Sequence, residues 1–211
     1  MQLTTLPLVL LASTATTLAA TIERAPVKTS TILQALAGTY SLLNTSRYIY
    51  TPLQSQSSPP KLSLTQTNST LNDVSIPDAT YGTAPVGIIT YSASGYMSAT
   101  ITATESEFRP NVTFPFQPSD LDADWALVGK HSIGYAGPFR LNTALPASTT
   151  EGQVFHGPLT VANVPTMVGA EHKRNYTIIA RREGGKQVKY LRIGSERGGG
   201  YKGELWWKRL D

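Results

Sequence analysis

From Gly87 to Ile101 the chain reads GIITYSASGYMSATI. Two β-branched and aromatic runs flank the short polar loop Ser92-Ala93-Ser94-Gly95. Side chains on a strand alternate between its faces, so Met97, Ala99 and Ile101 share one face and Tyr96, Ser98 and Thr100 the other. The pattern predicts a hairpin with the Met97 set turned inward. Further strand patterns follow at Ser132–Leu141, Gln153–Val164, Lys173–Arg181, Gln187–Ile193 and Gly203–Leu210. Turn chemistry separates them: Pro146 to Gly152, Gly184-Gly185 and Gly198-Gly199-Gly200. Upstream, Gly38-Thr39-Tyr40 opens the strand-like run TYSLLNTSRYIY. The single helix pattern is SDLDADWALVGKH. Ser119 can cap it, Asp120 and Asp122 suit its positive end, Gly129 can stop it, and Trp125 and Val128 can share a buried stripe. Eight to nine short strands joined by hairpin turns predict an all-β fold, an antiparallel barrel or a sandwich. Eight strands is about the number at which a barrel closes around side chains or one small ligand.

The ends and one internal stretch do not fit this pattern. Residues 1–19 have an apolar centre, Leu6–Ala12, and small residues at Thr17 and Ala19, as in a secretory signal peptide cut after Ala19 or Ala20. The alternative, a membrane anchor, needs about 18 apolar residues, and the Thr-rich second half falls short. Residues 20–34 read as an extended leader, and 35–211 as one domain. Within it, residues 51–85 are rich in Ser, Thr, Pro and Asn, with one strand candidate at Leu62–Thr67; they read as a loop insertion over one end.

Composition changes the picture in three ways. The 211 residues include no cysteine, so a secreted domain would stand on its core without disulfides. Four Asn-X-Ser/Thr sequons, at Asn44, Asn68, Asn111 and Asn175, are glycosylation candidates in a secretory route ending in the medium, the vacuole or another lumen. The net charge of +4 is uneven: from His172 onward there are eleven Lys/Arg against four Asp/Glu, and before it seven against ten. The basic residues are scattered through alternating strands and Gly turns, which suits a solvated sheet face rather than a nucleic-acid surface.

Parity then proposes a site. If Asn175 faces outward, His172, Arg174, Tyr176 and Ile178 face inward on a regular strand. An unpaired buried charge costs about 3–5 kcal/mol, so an inward Arg174 needs a carboxylate or an anionic or carbonyl-bearing ligand. The alternative places His172 and Arg174 at a rim, half in water. His156, between Phe155 and Gly157, is either an ordinary strand histidine or a second imidazole able to move protons beside His172. Tyr135 and Tyr91 can supply hydroxyls, or simply pack. His131 follows the helix pattern and is expected to interact with its C-terminal dipole. No cysteine is present and His131, His156 and His172 lack close spacing, so no metal is expected. There is no phosphate-binding glycine loop before a helix and no nucleophile elbow.

Five stretches, in this order and spacing, resemble the lipocalin-like domain proteins of the calycin type, found in bacteria and in fungal secondary-metabolite pathways. They are Gly38-Thr39-Tyr40, the 87–98 hairpin, Tyr135-Ala136-Gly137-Pro138-Phe139, the run from Val154 to Arg174, and Leu205-Trp206-Trp207-Lys208-Arg209, together spanning residues 36–211. The resemblance implies an up-and-down barrel whose first and last strands meet, with Tyr40, where a Trp is more usual, packed under Arg209. It also implies a small apolar metabolite as ligand. Some fungal members act as cofactor-free cyclases or isomerases. By that analogy His156, His172, Arg174 and Tyr135 would be catalytic, and Tyr91, Met97, Ile101, Phe139, Met167 and Tyr176 would line the ligand site, with no cofactor. A non-catalytic carrier of a hydrophobic small molecule, or a filled barrel with no ligand, are the competing readings. Nothing points to nucleic acid or to stable membrane insertion as a partner.

Overall fold

The computed structural model describes residues 27–43, 68–71, 74–76, 80–198 and 201–210. The strands are β1 (Gly38–Leu42), β2 (Asn68–Leu71), β3 (Val74–Ile76), β4 (Val86–Tyr91), β5 (Tyr96–Thr102), β6 (Ser132–Leu141), β7 (Glu151–His156), β8 (Val161–Ala162), β9 (His172–Glu183), β10 (Lys186–Gly198) and β11 (Tyr201–Arg209). Two helices join them, α1 (Thr29–Leu36) and α2 (Asp122–Lys130). The order β1-β4-β5-β6-β7-β9-β10-β11 closes on itself because β11 pairs back onto β1. Every pairing is antiparallel, so the fold is an eight-stranded up-and-down barrel with no free edge along that circuit. The far edge of β11 is divided: Trp207 to Arg209 pair with β1, and Tyr201 to Glu204 pair with β2, whose hairpin with β3 extends the wall. The two-residue strand β8 pairs with Tyr135 and Ala136 of β6.

Closure produces the expected meeting of first and last strands. Tyr40 and Arg209 are register partners, and the Arg209 guanidinium carbon lies 5.9 Å from the Tyr40 ring centroid. Alternation holds as well. On β5, Met97, Ala99 and Ile101 are buried while Tyr96, Ser98 and Thr100 are exposed. On β9, Tyr176 and Ile178 are buried, His172 and Arg174 half-buried, and Lys173 and Asn175 exposed.

Strand directions sort the connections into two ends. The β4–β5, β6–β7 and β9–β10 loops share one end, where β1 also begins. The 103–131 and 157–171 connectors share the other. Helix α1 covers the first end. Its Ile32 and Leu36, four apart and so on one face, join the same core cluster as Tyr40 and Trp207. The Tyr40 hydroxyl donates to the Leu36 carbonyl at 2.9 Å. This corrects the extended leader expected over 20–34, which is helical from Thr29. Thr29, Thr31 and Ile32 have weak helix preference, and burial of one face outweighs it.

Other expectations need adjustment. There are two α-helices among the described residues, not one. In α2 the capping position is Leu121, not Ser119, and the helix runs through Gly129 to Lys130. Asp120 instead accepts from the Gln117 amide and from Trp125 Nε1. Trp125 and Val128 are only half-buried, so the anticipated buried stripe is weak. The strand expected over Gln153–Val164 ends at His156, because Gly157 takes φ +123° and Pro158 follows; the chain resumes as β8. In the 51–85 insertion the observed strands are β2 and β3, and Leu62–Thr67 lies outside the described residues, as do the signal-like segment and Asn44.

Candidate functional site

A short polar cluster interrupts the apolar interior of the barrel. β7 delivers His156, its last residue, opposite His172 of β9 and opposite Phe139 of β6. Two residues further along β9, on the same face, is Arg174. From across the barrel β4 delivers Tyr91, whose hydroxyl lies 2.7 Å from His156 Nε2. Phe139 packs edge-on against Tyr91 with ring centroids 4.9 Å apart, and Tyr135 approaches His156 with centroids at 6.3 Å. Met97, the register partner of Tyr91, and Ile101 are buried on the β5 wall, and Met167 packs against the core from the short 3₁₀ turn Pro165–Met167.

The cluster has an enclosed part and an accessible part. His156 is 0% exposed and Tyr91 2%. Tyr135, His172 and Arg174 are half-buried, although the His172 Nε2 atom is itself buried. Electrostatics follows the burial. Desolvation lowers the His156 pKa to about 3, helped by the positive charge of Arg174 and by His172. His172 is also lowered, first by desolvation and then by Arg174. Desolvation raises the Tyr91 pKa well above 10.0, with Tyr135 adding to it and Arg174 opposing. At neutral pH both imidazoles and the phenol are therefore uncharged, and Arg174 is the cation among them.

Hydrogen-bond accounting leaves this cluster short of partners. If Tyr91 donates to His156 Nε2, the ring proton is on Nδ1; if Nε2–H donates, Nδ1 is a bare acceptor. In either state Nδ1 is buried without a partner, and so is His172 Nε2. Among the described residues the Arg174 side chain makes one hydrogen bond, from Nη1 to its neighbour's carbonyl, Lys173 O, at 2.7 Å. A third orphan, Trp207 Nε1, is in the core. Buried polar atoms are normally satisfied, so orphans gathered around one short stretch of barrel mark where a further polar group belongs.

Of the residues expected at a site, the fold thus gathers His156, His172, Arg174, Tyr135, Tyr91 and Phe139, with Met97 and Ile101 on the adjoining wall. It assigns two others to different work. Tyr176 faces inward, but its hydroxyl donates to Ser148 O at 2.6 Å and so ties down the β6–β7 loop. The His131 ring does not interact with the carbonyl end of α2: its Nδ1 is 2.9 Å from Thr80 O and the ring stacks on Phe108 at 4.0 Å. The backbone N–H of His131 is what meets the helix end, donating to Leu127 O. Asn111 and Asn175 are exposed. The pairing of Tyr91 with His156 was not anticipated. Alternation on β4, where Ile89 and Tyr91 are the buried positions, carried the signal that Tyr91 turns inward.

A closed eight-stranded antiparallel barrel with a few polar groups in its lumen defines the calycin class of architecture, a shape suited to small hydrophobic ligands. The family model for the lipocalin-like domain matches residues 61–210, and the chain belongs to that family. No curated protein and no solved structure matches it.

Proposed function

We propose that this barrel takes up a small, largely apolar metabolite bearing a carbonyl group and acts on it as a cofactor-free isomerase or cyclase. Its setting would be the secretory lumen or the medium, vacuole included, in a fungal secondary-metabolite pathway. The observation that carries this reading is the half-buried triad Tyr135, His172 and Arg174 beside the buried Tyr91–His156 pair in a largely apolar barrel interior, with His172 Nε2 unpartnered. Neutral His172 is suited to accept a proton from the carbon beside the carbonyl. Arg174 and Tyr135 are suited to hydrogen-bond the oxygen on which negative charge then collects. Return of the same proton to another carbon completes an isomerisation with no redox change. Folding a flexible chain against the walls brings reacting atoms together, an effect worth roughly 7–11 kcal/mol when orientation is good. The pathway and the reaction class rest on the family resemblance.

A second reading, a carrier, is favoured by the enclosure of His156. With that imidazole and Tyr91 sealed, the accessible polar surface shrinks to three groups, which is enough to orient a ligand without transforming it. Incubating the purified full chain with polyene and polyketide carbonyl compounds, followed by mass spectrometry, separates the two. Conversion that disappears in His172→Ala and Arg174→Ala, with unchanged circular dichroism, supports the enzyme. Compounds retained unchanged support the carrier, and no retention of any compound removes both.

A further inference from the structure

We infer that the polar end of the ligand is an ionised oxygen acid, a carboxylate or an acidic enol, bound as its anion by Arg174. This deepens the binding reading above and rests on it. A guanidinium has five N–H donors, and among the described residues Arg174 makes one side-chain hydrogen bond, to Lys173 O. No carboxylate among the described residues meets it. Four nearby glutamates are engaged with other cations, and Glu151 of β7 stands opposite Thr177, three residues further along β9 than Arg174. Glu171 pairs with Arg140 at 2.9 Å, Glu196 lies 4.0 Å from Lys173, Glu204 is 3.3 Å from Arg192, and Glu183 is 3.0 Å from Lys208. The side chains closest in the cluster are neutral: Tyr91, His156 and His172 all favour their uncharged forms at neutral pH.

The local balance is therefore one positive charge facing neutral, partly desolvated surroundings. Half-buried, and with its bond to Lys173 O in an exposed position, the guanidinium keeps its other donors open to an anionic group of a ligand. A neutral carbonyl or alcohol restores only a hydrogen bond. Hydrogen bonds between two ionised groups are about twice as strong as those between neutral ones, so the anion has a distinct advantage. The walls contributed by Met97, Ile101 and Phe139 supply nothing to hold a charge and suit an apolar body. The ligand so defined is an amphipathic acid: one oxyanion at one end, hydrocarbon elsewhere.

The test is isothermal titration of the full chain at pH 7.5 with four probes of one tail length: dodecanoate, dodecanol, dodecylammonium and a 2-acylcyclohexane-1,3-dione with the same tail. The expected result is that dodecanoate, the dione enolate or both bind at least about tenfold tighter than dodecanol, and that dodecylammonium is weakest. The two acid arms distinguish a carboxylate from an enolate. Arg174→Gln should bring the preferred acid down to the alcohol's affinity and leave the alcohol unchanged, while Arg174→Lys keeps part of the preference. Dodecanol binding as tightly as both acids overturns the inference and leaves the apolar-ligand reading standing. No binding of any probe overturns both. Should Arg174→Gln fail to fold, the four-probe comparison on the unmodified chain still decides.

Discussion

Acidifying the protein from pH 8 to pH 5 should unmask the enclosed histidine. In the folded state His156 is 0% exposed and its pKa is held at about 3, against 6.5 for a free imidazole. The folded chain thus binds fewer protons than the unfolded chain throughout the interval between those values. Stability from this group is complete above 6.5 and is lost as the pH falls toward 3. With an unfolded value of 6.5 and a folded value of about 3, linkage removes about 2 kcal/mol between pH 8 and pH 5. For a domain of this size that corresponds to a fall in melting temperature of roughly 4–8 °C. The depressed carboxylates, Glu105 at about 2 with Glu171 and Glu183, lose their contribution mainly below pH 4.5 and begin to add to the slope only near pH 5, where comparison with the His156 variant subtracts them. His172 is lowered too and titrates in the same range, which calls for a His172→Asn background. Urea unfolding at half-unit steps from pH 8 to pH 5 gives the slope, which should approach one proton taken up per molecule unfolded near pH 5. His156→Gln in the same background should flatten it. An equal slope with and without His156, or stability independent of pH across the window, would refute the claim that this imidazole is buried neutral.

Two further outcomes follow from particular contacts. Tyr91→Phe removes the one partner that His156 Nε2 has among the described residues and leaves both ring nitrogens unsatisfied. It should cost about 1–3 kcal/mol in urea unfolding, and the double change Tyr91→Phe with His156→Leu should recover much of that, because removing both polar partners leaves no orphan. Gly137→Ala places a methyl group 2.8 Å from Thr160 N and 2.9 Å from Leu159 Cα, both backbone atoms of the 157–171 connector. That connector should lift from β6 at a cost of about 1–3 kcal/mol, seen as faster proteolysis between residues 157 and 171 and a lower melting temperature; wild-type cleavage and melting would contradict the close packing.

Much of the inside–outside assignment was readable from the linear chain. Alternation on β5 and β9 is a property of extended backbone, so placing Met97, Ala99 and Ile101 on one side and His172 and Arg174 on the side opposite Asn175 needed no knowledge of neighbours. The bounds of β6 were equally readable, because an apolar run between the end of a helix pattern and a turn leaves little choice. Two elements were not readable. α1 opens on the weak helix formers Thr29, Ser30, Thr31 and Ile32 and spans only eight residues, so its helix depends on the barrel end it covers. The end of β7 at His156 was hidden inside a longer apolar pattern, and only the backbone turn at Gly157 shows it.

Local pattern by itself thus determined most of the barrel strands and, on β5 and β9, which side each side chain takes. Which inward residues meet was decided by the tertiary structure alone. Tyr91 and His156 are 65 positions apart and touch because β4 and β7 face each other across a closed circuit at one particular register. The enclosure of His156, the partial exposure of His172, and the absence of a carboxylate beside Arg174 among the described residues all depend on that register. Strand periodicity arises from the geometry of a single chain, whereas proximity across a barrel depends on how eight strands are staggered when the sheet closes.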